Sequence, residues 1–143
     1  MATEMENTDR VGRVIEEAFN RGKLDVINDV MASDYVCYEP SVPEEIRGPE
    51  EFKEYVQINR TAFPDLTLSL EDRVVEGNKI ADRYTSRGTH EGEFRSIAPT
   101  GNEFEGTVMV IHHFEDGKCV ADYALTDALG LLSQLGVVEP PGE

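Results

Sequence analysis

Tryptophan is absent from the 143-residue chain, lysine occurs four times and cysteine only twice. Cys37 and Cys119 are too few for a disulfide framework, so both are predicted to be reduced thiols in a cytoplasmic protein. No apolar run approaches the roughly 20 residues that a membrane span requires, and the polar, acidic N-terminus MATEMENTDR does not resemble a secretory signal. We expect one domain over residues 1–143, in which residues 1–7 are flexible and residues 138–143 form a tail.

Acidic residues dominate the charge, since 29 Asp and Glu against 13 Lys and Arg give a formal net charge of −16. Such a field repels nucleic acid and anionic membranes, because phosphate binding needs clustered Lys and Arg. We therefore expect neither as a partner. The spread of the acids along the chain indicates a solvated surface adapted to high salt, where ions screen self-repulsion. An ordinary acidic bacterial protein is the alternative.

Helical spacing of apolar residues marks the first half of the chain. The segment DRVGRVIEEAFNRGK predicts a helix near residues 8–20 that ends before Gly22. A short helix is predicted in LDVINDVM, and a third over residues 49–62, which begins at Pro49 and ends before Pro64. The segment YVCYEPSVPEEIRG between the last two is predicted to be a loop.

Strand-like segments fill the second half. They are rich in β-branched and aromatic residues and are separated by Gly-containing turns: LTLSLEDRVVEG, KIADRYTSRGTHEGEF, NEFEGTVMVIHHFE and KCVADYALT. A short helix in DALGLLSQLG follows. Helices followed by hairpins predict an α+β fold, with an antiparallel sheet of four to six strands and the helices on its concave side.

Three segments carry a family resemblance: RGTHEGEF with IAPTG, then HHFEDGK, then TDALGLLSQLG. Together they resemble the SnoaL-like polyketide cyclase family of the nuclear-transport-factor-2-like superfamily, and the helical half matches more weakly. The resemblance implies a cone-shaped domain in which a curved sheet wraps around the N-terminal helices and leaves an internal apolar pocket. It also implies a homodimer formed through the outer face of the sheet.

The turn EDGK predicts which side chains share a face. A type I turn with a bulge at Gly117 would pair residue 114 with residue 118. The predicted inner face then holds Val110, His112, Phe114, Val120, Asp122, Ala124 and Thr126. The predicted outer face holds Met109, Ile111, His113, Cys119, Ala121, Tyr123 and Leu125. A strand that is apolar on both faces is expected to be covered on both.

The resemblance also implies an acid–base pair, an Asp on the last strand and a His on the strand before it. Counting from the shared DGK and QLG, these positions fall on Ala124 and Val110, and neither side chain transfers protons. His112 and Asp122 lie one step along each strand, on the predicted inner face. A His–Asp pair in an apolar cavity is a plausible general base, so these two are the candidate catalytic residues. The alternative is that Asp122 is solvated at the pocket mouth.

Eight further residues are candidates for the wall of the substrate pocket: His90, Arg83, Tyr38, Tyr55, Val110, Phe114, Ala124 and Asp127. His90 would either bind a substrate oxygen or hold its own loop, and Asp127 would also serve as a helix N-cap. Arg83 would either face inward and pair with Asp122 or lie exposed among acids. Tyr38 and Tyr55 would offer hydroxyls or simply pack in the core.

The sequence therefore predicts a cofactor-free pocket protein, acting by acid–base catalysis on a small hydrophobic carbonyl or ester as a cyclase or isomerase. We expect no metal site and no cofactor, since no phosphate loop, nucleophile elbow or cluster of metal ligands is apparent. Non-catalytic binding of an apolar ligand and a dimeric interaction module are the alternatives. An open pocket with unpaired His112 and Asp122 would favour the enzyme, and a closed one the interaction module.

Overall fold

A six-stranded sheet and a helical layer make up residues 2–139, which the computed structural model describes. The helices are α1 (Glu4–Arg13), α2 (Val26–Val30), α3 (Gly48–Ala62) and α4 (Ala128–Gln134), and a π-helical segment (Val14–Phe19) continues α1. The strands are β1 (Met31–Tyr38), β2 (Ile46–Arg47), β3 (Thr67–Glu76), β4 (Lys79–Thr89), β5 (Glu103–Glu115) and β6 (Lys118–Thr126). The predicted α+β fold is confirmed.

The first helix begins earlier than the apolar periodicity indicates. Thr3 is its N-cap, and the Thr3 side chain accepts a hydrogen bond from the Glu6 N–H group. Residues 4–7, which we expected to be flexible, instead form the first turn of α1, and Asn7 is buried. The cap and first turn are polar, so the apolar pattern could not reveal them. Residues 140–143 of the predicted tail lie outside the described residues.

The strands lie in the order β2-β1-β6-β5-β4-β3, and the curved sheet does not close on itself. All neighbouring strands are antiparallel except β1 and β6, which run parallel. The sheet is therefore mixed, whereas a purely antiparallel sheet was predicted. Strand β1 lies partly in the segment predicted as a loop. Its Tyr35 and Cys37 are buried and alternate with half-buried neighbours, a signal that the following Pro and Glu residues obscured.

Two apolar clusters lie between the helices and the inner face of the sheet. The larger joins α1, the π-helical segment, α2 and α3 to the sheet, with Ile27, Tyr35, Val56 and Ile80 fully buried. The smaller gathers Phe63, Phe94, Phe104 and Leu135 where the loop of residues 90–102 crosses the end of α3. None of the helices within residues 2–139 combines the length and apolar composition that a membrane span needs.

Candidate functional site

His112 on β5 lies between two buried carboxylates. Its Nδ1 is 2.6 Å from Oδ1 of Asp122 on β6, and its Nε2 is 3.3 Å from Oδ2 of Asp82 on β4. Tyr84 Oη also lies 3.3 Å from Nε2 and donates a 2.5 Å hydrogen bond to Asp82. Since a carboxylate accepts but does not donate, this arrangement favours a proton on both ring nitrogens, which is the imidazolium form of His112.

The charges of this buried group balance. Arg73 on β3 donates to both oxygens of Asp82, over 2.7 Å from Nε and 2.9 Å from Nη2. Two cations, Arg73 and His112, therefore alternate with two anions, Asp82 and Asp122. Compensation of this kind is what allows charged side chains to remain buried.

The pKa values follow from these contacts. Burial alone would lower the pKa of His112, but the Asp122 and Asp82 carboxylates outweigh it and raise the pKa to about 9. Burial would raise the pKa of Asp82, but its bonds to Arg73, His112 and Tyr84 hold it well below the usual value. Asp122 is likewise lowered, because the adjacent imidazolium outweighs burial. The site thus holds a protonated histidine and two weakly basic carboxylates at neutral pH.

The turn before β6 differs from the predicted one. Asp116 and Gly117 have φ values of 49° and 79°, and Glu115 pairs with Lys118. This is a two-residue turn of type I′, in which both central residues adopt left-handed conformations. The predicted pairing of residues 114 and 118 is therefore wrong.

A bulge at Val120 turns Asp122 to the inner face of the sheet, although the two-residue turn alone would have placed it on the outer face. The register shifts between His113 and Phe114, so that Cys119 and Asp122 both face the interior although they are three residues apart. Cys119, predicted on the outer face, is buried, and Val120, predicted on the inner face, is the bulged residue itself. Without the bulge, strict alternation would turn Asp122 to the outer face.

Tyr35 and Cys119 complete the surroundings of Asp122. Tyr35 donates a 2.6 Å hydrogen bond to Oδ2, and Cys119 Sγ lies 3.4 Å from Oδ1. Burial and the nearby carboxylate raise the pKa of both groups, so both stay protonated. One ligand atom each from His112, Cys119 and Asp122 lies within 4.8 Å of the others. They could hold a metal ion only after deprotonation, since an imidazolium has no free lone pair and thiolate is the metal-binding form.

Part of this network lines an apolar cavity of about 140 Å³ between the sheet and the helices. His112, Asp122, Tyr84 and Cys119 are its contributions, while the rest of the lining is mainly aliphatic and aromatic. Among the predicted pocket residues, the structure places Val110, Phe114, Ala124, Tyr55 and Asp127 along this cavity. Asp127 also accepts a 2.9 Å hydrogen bond from the Gly130 N–H group, so it caps α4 as well.

Two pocket candidates face away from the cavity. Tyr38 stacks on Tyr123 with ring centroids 4.7 Å apart, on the outer face of the sheet, where Tyr123 is 48% exposed. Tyr35, which sequence reasoning missed, takes the inward position. Arg83 is also exposed, because β4 alternates strictly and turns Asp82 inward instead. The predicted Arg83–Asp122 pair is therefore wrong.

His90 also lies outside the cavity wall. It is fully buried, and its Nδ1 accepts a hydrogen bond from the Thr100 N–H group over 3.2 Å. Its ring packs against Phe63 and Phe94. Of the two roles considered for His90, the structure supports holding the loop of residues 90–102. His113 packs against Tyr123 on the outer face, with the two ring planes tilted by 56°.

The missed residues of the network left unequal signals in the sequence. Ile80, Asp82 and Tyr84 occupy every second position of KIADRYT, so the alternation could have predicted that Asp82 faces inward. The orientation of Arg73 could not be predicted in this way, because a register shift between Leu70 and Asp72 changes which side chains of β3 face inward.

Comparison with known proteins identifies the family of this chain. The sequence profile of the SnoaL-like polyketide cyclase family matches residues 9–135. The chain belongs to this family. It is 33% identical over 135 residues to the aklanonic acid methyl ester cyclase AcmA of Streptomyces galilaeus, covering 92% of each chain. IdmH of Streptomyces antibioticus is 31% identical with a TM-score of 0.79, over 92% of this chain and 99% of that one. A SnoaL-like protein from Jannaschia sp. CCS1 is 22% identical and shares the fold with a TM-score of 0.87. The match covers 99% of this chain and 97% of that one.

Val110 and Ala124 of this SnoaL-like chain are directly paired on β5 and β6, next to the His112–Asp122 pair. Both side chains line the cavity. The two positions to which the family resemblance assigns acid–base residues are thus adjacent here and apolar. His112 and Asp122 lie two residues nearer the turn on each strand.

Proposed function

We propose that the protein is a cofactor-independent acid–base enzyme that closes a ring in, or isomerises, a small hydrophobic carbonyl or ester substrate. The observation that carries the proposal is that His112, which lies between two buried carboxylates, lines an apolar cavity. Membership of the SnoaL-like cyclase family and a curated cyclase relative support the same reaction type.

His112 Nε2 is the atom best suited to act on a substrate. Its two contacts, to Asp82 and Tyr84, are 3.3 Å long, whereas Nδ1 is held by Asp122 at 2.6 Å. A substrate carbonyl oxygen can therefore compete for the Nε2 proton without disturbing the stronger bond. Catalytic hydrogen bonds are often long until a substrate is bound. His112 would then stabilise negative charge on that oxygen and donate the proton.

Asp122 is the proposed base. It removes a proton from carbon, the carbanion attacks a second carbonyl to form the new C–C bond, and His112 protonates the resulting alkoxide. His112 is then a neutral imidazole still protonated at Nδ1, so Nε2 takes up a proton from water while Asp122 releases its own proton to water, which restores both groups. Because the pKa of Asp122 is lowered, the substrate carbon must itself be acidic. Carbon between two carbonyl groups meets this requirement.

Non-catalytic binding of an apolar ligand is the second candidate. The hydrogen-bonding groups of His112 and Asp122 are engaged within the protein, and engaged groups of this kind also occur in purely structural networks. The open cavity argues against an interaction module whose interior is filled by side chains.

Turnover of aklanonic acid methyl ester, followed by chromatography, separates the two candidates. We expect the wild-type protein to cyclise it, and His112→Gln and Asp122→Asn to lose about 10²–10⁴ in rate, the usual contribution of acid–base groups. His113→Gln is the matched control, since His113 lies on the outer face. Full activity in a folded His112→Gln protein would contradict the proposal. Tight binding without turnover by the wild-type protein would favour the second candidate.

We also propose a homodimer formed through the outer face of the sheet. Met109, Ile111, Tyr123 and Leu125 lie side by side there and are 44–64% exposed. Contiguous exposed apolar residues of this kind mark interaction sites. The low lysine content and net charge of −16 suit association in concentrated salt, where repulsion between two acidic chains is screened.

A further inference from the structure

Arg95 lies where the cavity meets solvent. Arg95 is exposed to solvent, and it also lines the cavity together with Ser41. The guanidinium donates from Nη1 to the Ser41 carbonyl oxygen over 2.7 Å and from Nη2 to Ser41 Oγ over 3.2 Å. Its Cζ is 4.9 Å from the ring centroid of Phe94, which anchors the loop in the smaller apolar cluster. These contacts hold the cation over the mouth.

The charge of Arg95 has no counter-ion in the part of the chain that the structure describes. None of the salt bridges formed within residues 2–139 includes it. Both of its hydrogen-bond partners are neutral oxygens of Ser41. A guanidinium has five N–H donors, and the contacts to Ser41 use two of them, so three remain for a ligand.

Tyr55 on α3 supplies a second donor. Its side chain lines the same cavity, and its hydroxyl makes no hydrogen bond among residues 2–139. Burial, together with the nearby Glu39, raises the pKa of Tyr55, so the phenol stays protonated and able to donate. Arg95 and the Tyr55 hydroxyl thus offer two hydrogen-bond donors to the same cavity.

We propose that Arg95 and Tyr55 form a subsite for the ionised carboxylate of a ligand that binds in the cavity lined by His112. The ligand would be a mainly apolar, aromatic molecule with an acidic group. The inference rests on the proposed function, because it concerns the same cavity, but it is measured by binding alone. Planar bidentate recognition of carboxylate is the chemistry for which Arg is preferred to Lys.

The neighbouring acids do not occupy this subsite. Glu39 lies outside the cavity lining, and its oxygens accept hydrogen bonds from the Ser41 N–H group and the Thr126 hydroxyl. Asp127 lines the cavity, but its carboxylate caps α4. Asp122 is neutralised by His112. Arg95 is therefore the one lining charge within residues 2–139 that an anionic ligand would compensate.

Two naphthalene probes test the subsite without any turnover. 2-Naphthoate and 2-naphthamide have nearly the same shape and differ in charge, and their affinities are compared by fluorescence titration at pH 7. We expect the naphthoate to bind at least tenfold more tightly than the amide. In Arg95→Gln this ratio should fall to within about twofold, and Tyr55→Phe should reduce it partially. Arg83→Gln is the matched control, because Arg83 is exposed on the outer face.

Each other outcome overturns the inference. Equal binding of the two probes by the wild-type protein would show that the mouth does not recognise charge. If Arg95→Gln weakened both probes equally, Arg95 would only tie the loop to Ser41. A ratio that fell equally in Arg83→Gln would reflect the net charge of the surface. None of these results bears on whether His112 transfers protons, so failure here is separate from failure of the proposed reaction.

Discussion

His112 and Asp122 face each other directly across β5 and β6, and their side chains share a 2.6 Å hydrogen bond in the interior. The arrangement depends on one bulged residue, Val120, which turns Asp122 toward the cavity. A second carboxylate, Asp82, lies on the opposite side of the imidazole ring. The pair is therefore part of a compensated charge network, and its substitution is expected to affect stability as well as chemistry.

The free energy of unfolding should depend on pH through His112. Its pKa is raised from 6.5 to about 9, so the stabilisation is fully present below pH 6.5 and is lost as pH rises through 9. A shift of this size corresponds to a loss on the order of 3 kcal/mol at 1.36 kcal/mol per pKa unit. Urea denaturation between pH 6 and pH 10 measures it. His112→Gln should lack this dependence, and an equally steep loss in that variant would exclude His112 as its source.

Placing a carboxylate at position 124 should add a base to the cavity. Ala124 lines the cavity, is paired with Val110 and lies two residues from Asp122. Ala124→Asp is therefore expected to raise the rate in the cyclisation assay above the wild-type rate. Ala124→Asn is the control, since it has a similar size but accepts no proton. Equal rates in the two variants would show that the position does not take part in proton removal.

Gly92 should tolerate no side chain. A Cβ atom there would lie 2.1 Å from the carbonyl oxygen of Thr61 at the end of α3. Gly92→Ala must displace the loop of residues 90–102, and overpacking of this kind costs about 1–3 kcal/mol. Thermal denaturation should show a lower midpoint. Gly12→Ala, where nothing lies within 4 Å of the new methyl group, should leave stability unchanged or raise it.

The outer face of the sheet should hold two copies together. Light scattering in molar salt is expected to give twice the chain mass of 16.0 kDa. Leu125→Glu, at a residue 64% exposed on that face, should reduce the mass to that of one chain. Ile58→Glu on α3 is the control, since Ile58 is 52% exposed but lies on a helix. A monomeric wild-type protein would contradict the proposed dimer.

Much of the fold could be predicted because helical periodicity, Gly turns and β-branched segments agree with one another. The helix over residues 49–62 and the four long strands occur close to where the patterns place them. Strand β1 was missed because its alternation is short and runs into Pro- and Glu-rich sequence. A parallel neighbour for β6 leaves no local signal, since the partner is distant in the chain.

The candidate site was predicted in part, because two errors in the predicted hairpin offset each other. The observed turn is one residue shorter than the predicted one, and the bulge at Val120, which was not predicted, shifts the register back by one residue. His112 and Asp122 therefore share a face as predicted. The contacts of Asp82 and Arg73 depend on the relative register of three strands, which spacing within a single strand does not determine.

NMR titration of the imidazole nitrogens measures the protonation state of His112, on which the proposed acid–base chemistry depends. We predict that both nitrogens of His112 carry protons at pH 7 and that the ring titrates at about pH 9. His113 on the outer face, whose pKa is lowered mainly by burial and Lys79, should titrate below 6.5 in the same spectra. A neutral His112 at pH 7, with a single protonated nitrogen, would contradict the account.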